Sequence, residues 1–600
     1  MSITPRPEYP RPQFRREDWI NLNGKWRFVF DDEDRGRREG WQNVPGGSLA
    51  GDSPFDREIT VPFCYQSRLS GIGETAFHDV VWYARTFDFS PRTDERLLLH
   101  FGAVDYRAEV WVNGVHVASH EGGHTPFSAD VTHALGGPEN VLVVRAEDPS
   151  HDVTIPRGKQ YWKEESEDIF YTRTTGIWQT VWLEPVGRSR VESLRLTPNV
   201  DDACADAEIS LSGFAPGMIL RLTVELDGAQ ILENSVRVGS GIVDHRLFLV
   251  RRGGASDARH GDDRTGVALW SPEEPNLYDL RLELVAENGS VLDTVESYFG
   301  MRKIEARNGR IFLNGRPYYQ RLVLDQGYFP EGILTAPADG DLKRDVELAK
   351  EMGFNGARKH QKVEDPRWLY WADTLGFLVW GEMANAYQYS PDYVRRITAE
   401  WQEAVRRDHN HPSIVAWVPM NESWGVPSLG TDHAQRDHLL ALYHLTRSLD
   451  TTRPVVSNDG WEHALTDVCA IHDYRDAEAM RKAYATAESA VAATPAGRPV
   501  YVPGHAHRGE PILITEFGGI AFANEEGGWG YTTVAGPDEF LQRYESVIDA
   551  LLACEPVRGF CYTQLTDVEQ EVNGLLTYDR RPKADLARIR AITSGGTVSS

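Results

Sequence analysis

Short runs of alternating apolar and polar residues fill the first 187 positions. Lys25-Trp26-Arg27-Phe28-Val29-Phe30 and Ala108-Glu109-Val110-Trp111-Val112 read as half-buried strands, and Val112-Asn113-Gly114-Val115 as a hairpin turn. No helix of more than two turns is expected there. Many short strands with tight turns predict a jelly-roll β-sandwich over 1–187. Alternation continues over 188–302, in Val191-Glu192-Ser193-Leu194-Arg195-Leu196 and Leu280-Arg281-Leu282-Glu283-Leu284-Val285. A unit of about 110 residues of this kind fits an immunoglobulin-like β-sandwich. The Gly-, Asp- and Arg-rich segment 251–265 reads as an exposed loop.

After residue 302 the period changes. Short apolar runs now alternate with helical stretches, which predicts a parallel sheet. Strands are expected at 318–324, 354–358, 378–381, 414–419, 453–457, 468–471, 512–515 and 559–563, with a helix at 341–352. Eight such units in about 300 residues make a (β/α)8 TIM barrel over 303–600. Two of the runs end on a carboxylate: Glu422 after the fourth strand and Glu516 after the seventh. Barrel chemistry is done at the C-terminal ends of the strands, so this pair is the leading candidate for a catalytic site.

Composition narrows the class. Six hundred residues exceed one hydrophobic core, and 41% apolar residues suffice for several. The 17 Trp serve mostly as packing, with some available as platforms for the C–H face of a sugar. A net charge of −26 argues against nucleic acid and anionic membrane surfaces as partners. Five cysteines without a Cys-x-x-Cys read as reduced, buried thiols. No apolar leader follows Met1 and no run approaches a membrane span, which predicts a cytoplasmic protein.

Cleaving an acetal needs a proton for the leaving oxygen and stabilisation of an oxocarbenium-like centre. A protonated and an ionised carboxyl do both, and a spacing of about 5–5.5 Å lets the ionised one attack with retention. Asn421, beside Glu422, can bond a sugar hydroxyl, and Gly518 and Gly519 leave room beside Glu516. His409-Asn410-His411-Pro412 carries a metal-like spacing, but its Pro and its place before the fourth strand favour a structural role. No metal or cofactor is expected.

Three blocks resemble glycoside hydrolase family 2, the β-galactosidase, β-glucuronidase and β-mannosidase group. They are Asn355-Gly356-Ala357-Arg358-Lys359-His360, His409-Asn410-His411-Pro412 through Asn421-Glu422-Ser423, and Ile514-Thr515-Glu516-Phe517-Gly518. Leu22-Asn23-Gly24-Lys25-Trp26 and Thr174-Thr175-Gly176-Ile177-Trp178 look like the family's sugar-binding jelly roll. The resemblance implies Glu422 as acid/base, Glu516 as nucleophile, Asn421 on the 2-hydroxyl and Tyr474 orienting the nucleophile. Arg358 and His360 would line the floor of the site, and Trp380, Trp424 and Trp461 are candidate stacking platforms. Asp325, at the end of the first strand, is expected to hold sugar hydroxyls.

The subfamily pattern is mixed. Tyr562-Thr563-Gln564-Leu565 resembles a Tyr-Trp-Gln-Leu block, with Tyr562 as a candidate site residue and Thr563 where Trp is common. Family glucuronidases carry Asn-x-Lys before a Gly-x-x-Thr-x-Asp-Arg stretch. Here Gly574 to Arg580 match the stretch, but Glu571 and Asn573 take the Asn and Lys places, which argues against a uronide by that route. The first-strand end also lacks the histidine-rich run of metal-binding β-galactosidases.

The expectation is a retaining exo-β-glycosidase acting on carbohydrate, β-galactosidase-like. The alternatives are a uronidase, β-mannosidase or arabinopyranosidase of the same family, and beyond those a non-catalytic carbohydrate-binding protein. Homo-oligomers are compatible with the large β half. The segment 477–510 is expected to shape the entrance, with His505, His507 and Arg508 bringing positive donors to it.

Overall fold

Alternation in the first part of the chain folds into two packed antiparallel sheets. The structure, a computed structural model, describes residues 4–49, 53–249, 266–522 and 528–595. The predicted loop 251–265 lies outside the described residues. One sheet of the first sandwich has six strands, with Val80–Asp88 and Glu139–Glu147 at its centre. The other has four, with Val181–Gly187 beside Glu95–Phe101. Inward residues of both, among them Trp26, Phe28, Tyr83, Leu97, Leu99, Val144 and Leu183, form its core.

A second sandwich follows. Its three-stranded sheet starts at Arg190–Asn199, and its four-stranded sheet ends at Val291–Phe299. All five cysteines are free and buried.

The barrel strands are Gln320–Asp325, Gly356–Lys359, Leu378–Glu382, Ile414–Val418, Cys469–His472, Ile512–Glu516 and Val557–Tyr562, all parallel. The predicted fifth strand, 453–457, is not a regular one. Its stave pairs through isolated bridges, Trp417 to Val455 and Asn421 to Asp459. The reason is local: the Val455 amide donates to the Asp467 side chain rather than to a ladder.

Side chains alternate between the two faces of each strand. Leu322, Leu324, Trp380, Val418, Val468, Ala470 and Cys561 fill the barrel interior, over a plug of Ile304, Ile311 and Leu313. Val323, Ala357, Ile471, Ile514, Phe560 and Tyr562 face the surrounding helices. Those helices are capped from the sequence: Ser390 accepts from Tyr393 N ahead of Pro391–Asp408, and Asp432 accepts from Ala434 N ahead of His433–Leu449. Among the described residues no helix is long and apolar enough to cross a membrane.

Candidate active site

Arg358 is the centre from which the site is built. Interior parity on the second strand aims it up the barrel axis, wholly buried. Its Nε donates to Glu382 Oε2 at 2.6 Å and lies 2.9 Å from Asp459 Oδ2. Nη2 lies 2.7 Å from Glu516 Oε1, 2.9 Å from Asn421 Oδ1 and 2.8 Å from His360 Nδ1. One guanidinium therefore fixes residues from the ends of four strands.

Glu516 reaches this cluster through a register break. Parity would send it outward, after inward Leu513 and outward Ile514. A bulge opposite Ile471 and His472 re-aims it, so Thr515 and Glu516 both serve the interior. Thr515 Oγ1 donates to Asp459 at 2.6 Å, while Tyr474 OH donates to Glu516 Oε2 at 2.6 Å. Tyr474 is itself held by a stacked Tyr531 ring, 3.4 Å away.

Glu422 follows the fourth strand in a left-handed turn, with φ of 52° at Glu422 and 60° at Ser423. That conformation costs a non-glycine residue about 1–3 kcal/mol. It is held by Glu422 N donating to Asp459 O at 2.8 Å, Ser423 N to Asn458 Oδ1 at 2.9 Å and Ser423 Oγ to Glu462 Oε2 at 2.6 Å.

His472 joins the two carboxylates. Its Nδ1 lies 2.8 Å from Glu422 Oε1 and 3.5 Å from Glu516 Oε2, and its Nε2 lies 3.5 Å from Asp459 Oδ1. Burial opposes charge on the ring, yet Glu516 and Asp459 push it up to about 10. Burial would likewise raise Glu516, but the His472 imidazolium and Arg358 outweigh it and hold that carboxyl at about 2. His360 stays neutral, because burial and then Arg358 push its ring well below the ordinary value.

Ligand atoms of Glu422, His472 and Glu516 lie within 4.8 Å of one another, the one group among the described residues spaced to chelate a cation.

Three models of one family match consecutive parts of the chain. The sugar-binding domain of glycosyl hydrolases family 2 matches residues 20–184, the central domain 189–302 and the TIM barrel domain 304–595. The chain belongs to glycoside hydrolase family 2. It is thus a hydrolase of O-glycosyl bonds, in three domains ordered jelly roll, immunoglobulin-like sandwich and barrel.

Among its relatives, a β-glucuronidase of Paenibacillus borealis is 25% identical over 97% of this chain and 98% of its own length. A β-galactosidase of Thermoanaerobacter pseudethanolicus is 27% identical over 64% of this chain, which spans about half (49%) of that relative. A solved β-glucuronidase from Ruminococcus gnavus, in complex with D-glucuronic acid, superposes with a TM-score of 0.75 at 21% identity. That superposition covers 98% of this chain and 100% of the other.

Of the residues the family resemblance points to, Glu422, Glu516, Asn421, Arg358, His360 and Tyr474 come together. Trp424 and Trp461 stand at the rim, and Trp461 meets His472 edge-on at 5.6 Å. Trp380 is interior packing, its Nε1 donating to Gln320 at 2.9 Å.

Two candidates belong elsewhere. Asp325 falls on the outer parity of the first strand, and its oxygens are spent on Lys359 Nζ at 2.7 Å and Gly327 N at 2.9 Å. It anchors a buried network with Glu364 and Lys362 rather than a sugar. Tyr562 also faces outward, packed edge-on against Tyr544 at 4.9 Å and Phe517 at 5.5 Å. Its neighbour Thr563 faces the site, with Oγ1 3.2 Å from Tyr474 OH.

The tip of 477–510 is likewise displaced. Arg508 pairs with Glu510 at 2.8 Å and donates to Thr466 O at 3.0 Å, beside the N-terminal ends of the strands. His472, Glu382, Asp459 and Lys159 complete the site, and none of them is among the residues expected there from sequence. Period-two parity marks His472, which follows inward Val468 and Ala470. Lys159 comes from another domain and carries no local signal.

Proposed function

We propose that the protein is a retaining exo-β-glycosidase that removes a terminal non-reducing pyranose by double displacement. One observation carries this reading: the facing oxygens of Glu422 and Glu516 lie within 4.8 Å, with His472 between them. That supports the close spacing of a nucleophile and an acid/base rather than the wider pair of an inverting site.

The roles follow from the surroundings. The Glu516 side chain is 5% exposed and held ionised by Arg358 and His472, as a nucleophile requires. Glu422 is 17% exposed, so it is the more open of the two carboxyls to a leaving group and to water. In the first step Glu516 Oε attacks the anomeric carbon while the leaving oxygen takes a proton from Glu422. Covalent capture removes the negative charge of Glu516. Glu422, now a carboxylate bonded to the imidazolium, takes a proton from water as that water attacks the anomeric carbon and releases Glu516. Asn421 is buried with its Oδ1 on Arg358, and among the described residues its Nδ2 has no hydrogen-bond partner. A buried unpaired donor beside the nucleophile suits the sugar 2-hydroxyl.

Names among the relatives divide between β-glucuronidase and β-galactosidase, so the choice of sugar rests on this chain's own pocket. Glu422→Ala is expected to lower kcat/KM on aryl β-glycosides by about 10²–10⁴-fold. Glu516→Gly is expected to be inactive until azide restores turnover and gives the α-glycosyl azide. Near-wild-type activity in both variants, or a β-azide product, overturns the assignment.

A further inference from the structure

Lys159 reaches the pocket from the N-terminal sandwich. Its segment lies on the barrel rim: Gly158 N donates to Asn385 O at 3.0 Å, and Tyr387 OH donates to Gly158 O. Gly158 has φ of 61°, and a Cβ there would collide with the Gln361 carbonyl, so only glycine lets the strand sit this close. The carbonyl of Lys159 then accepts from Tyr171 N at 2.9 Å.

The Lys159 side chain is buried, with the residue only 6% exposed. Its Nζ stands 5.0 Å from the centre of the Trp424 ring, two residues past Glu422. Its charge bears on His360 and on Glu571, and Glu571 also feels the charge of Glu516. The ammonium therefore stands inside the walls of the catalytic pocket.

Among the described residues no hydrogen bond or ion pair engages this Nζ. The other buried cations nearby are spent. Arg358 serves Glu382, Asp459 and Glu516; Lys359 serves Asp325 and Glu364; Lys362 serves Glu364; His472 serves Glu422. Glu571 is no substitute partner. Its oxygens take Tyr171 OH and Asn573 Nδ2, and burial raises its pKa toward the neutral acid. A buried ammonium left without an anion is unfavourable unless a ligand supplies one. An aromatic face offsets only part of that.

We propose that Lys159 is a specificity-determining residue of the glycone subsite, and that it selects a sugar carrying an anionic group. This rests on the retaining-glycosidase reading and adds the substrate class to it. Both a C5 carboxylate, as in a β-uronide, and a sulfate ester fit a lone ammonium. Recognition by this route needs no Asn-x-Lys pair after the eighth strand, where the chain has Glu571 and Asn573.

The test compares kcat/KM of the full chain on 4-nitrophenyl β-D-glucuronide, β-D-galacturonide and 6-sulfo-β-D-galactoside with the neutral β-D-glucoside and β-D-galactoside. Wild type is expected to favour an anionic substrate, and the arm that responds separates carboxylate from sulfate. Lys159→Met is expected to lower the anionic-to-neutral ratio about 100-fold, mainly through KM, and Lys159→Arg to recover much of it. Calorimetric binding of D-glucuronate and D-galacturonate against D-glucose and D-galactose to Glu516→Ala reads the same contrast without turnover. A wild type that prefers neutral sugars in both measurements, or a Met variant with an unchanged ratio, overturns the proposal. An active Glu516→Ala instead overturns the retaining reading, whatever the Lys159 variants do.

Discussion

Replacing His472 by Gln keeps an amide donor for Glu422 and removes the positive charge between the carboxylates. The lost charge sits 3.5 Å from Glu516 Oε2. At that separation, with an effective dielectric constant of about 20, a unit pair interacts by about 5 kcal/mol. Divided by about 1.4 kcal/mol per pKa unit, this sets a ceiling of about three and a half units. Arg358 and Tyr474 still hold the carboxylate, so the expected rise is about two units from the present value of about 2. The sign is fixed: the nucleophile must be ionised, and a raised pKa takes the ionised form away from acid solution. The assay is kcat/KM on an aryl β-glycoside from about pH 3 to 9, which reports ionisations of the free enzyme. The acid limb is expected to move up to about pH 4, with a lower kcat at neutral pH because Glu422 loses its charged partner. A variant that melts in one cooperative transition yet shows no acid limb near pH 4 would refute the charge argument.

Asp325→Asn tests the outer network: urea unfolding should show a loss of about 1–3 kcal/mol, with sugar preference unchanged. Altered KM ratios across the sugar panel would return Asp325 to the pocket. Glu364 is held at about 2 because Lys359 and Lys362 outweigh its burial. A carboxyl depressed on folding adds stability above its ordinary value of about 4.3, and that stability is lost as pH falls toward about 2. Glu364→Gln should therefore flatten the acid side of a plot of unfolding free energy against pH. An unchanged slope would assign acid sensitivity to other groups.

Much of this architecture was legible because apolar periods report burial directly. Seven barrel strands coincide with the predicted runs, and the two glutamates stand where those runs end. The fifth stave was not legible, since a side chain of Asp467 replaces the ladder partner of Val455 and periodicity carries no trace of that substitution. Asp325 and Tyr562 were misplaced for a simpler reason. Each follows interior neighbours by an odd step, so period-two parity turns it toward the helices. The same parity marks His472 and Thr563 as facing the site. The 504–508 tip was misjudged from position along the chain, although a segment leading into a strand must finish at that strand's N-terminal end.

Parity cannot find Lys159 or Tyr171, because what makes them part of the pocket is a seam between domains. Tyr171 OH donates to Glu571, and Thr335 Oγ1 donates to Trp178 O at 2.6 Å. His124 N donates to Glu400 at 2.8 Å, locking the same two domains on another side. The chemical end of the site, from Arg358 to Glu516, is made wholly of barrel strands and fixed by one guanidinium. The end reached by Lys159 is made by the seam. Changes in the first sandwich can alter which sugar is held without moving either carboxylate. That division is why the strand-end motifs mark the two carboxylates, while Lys159, the residue proposed to select the sugar, shares no motif with them.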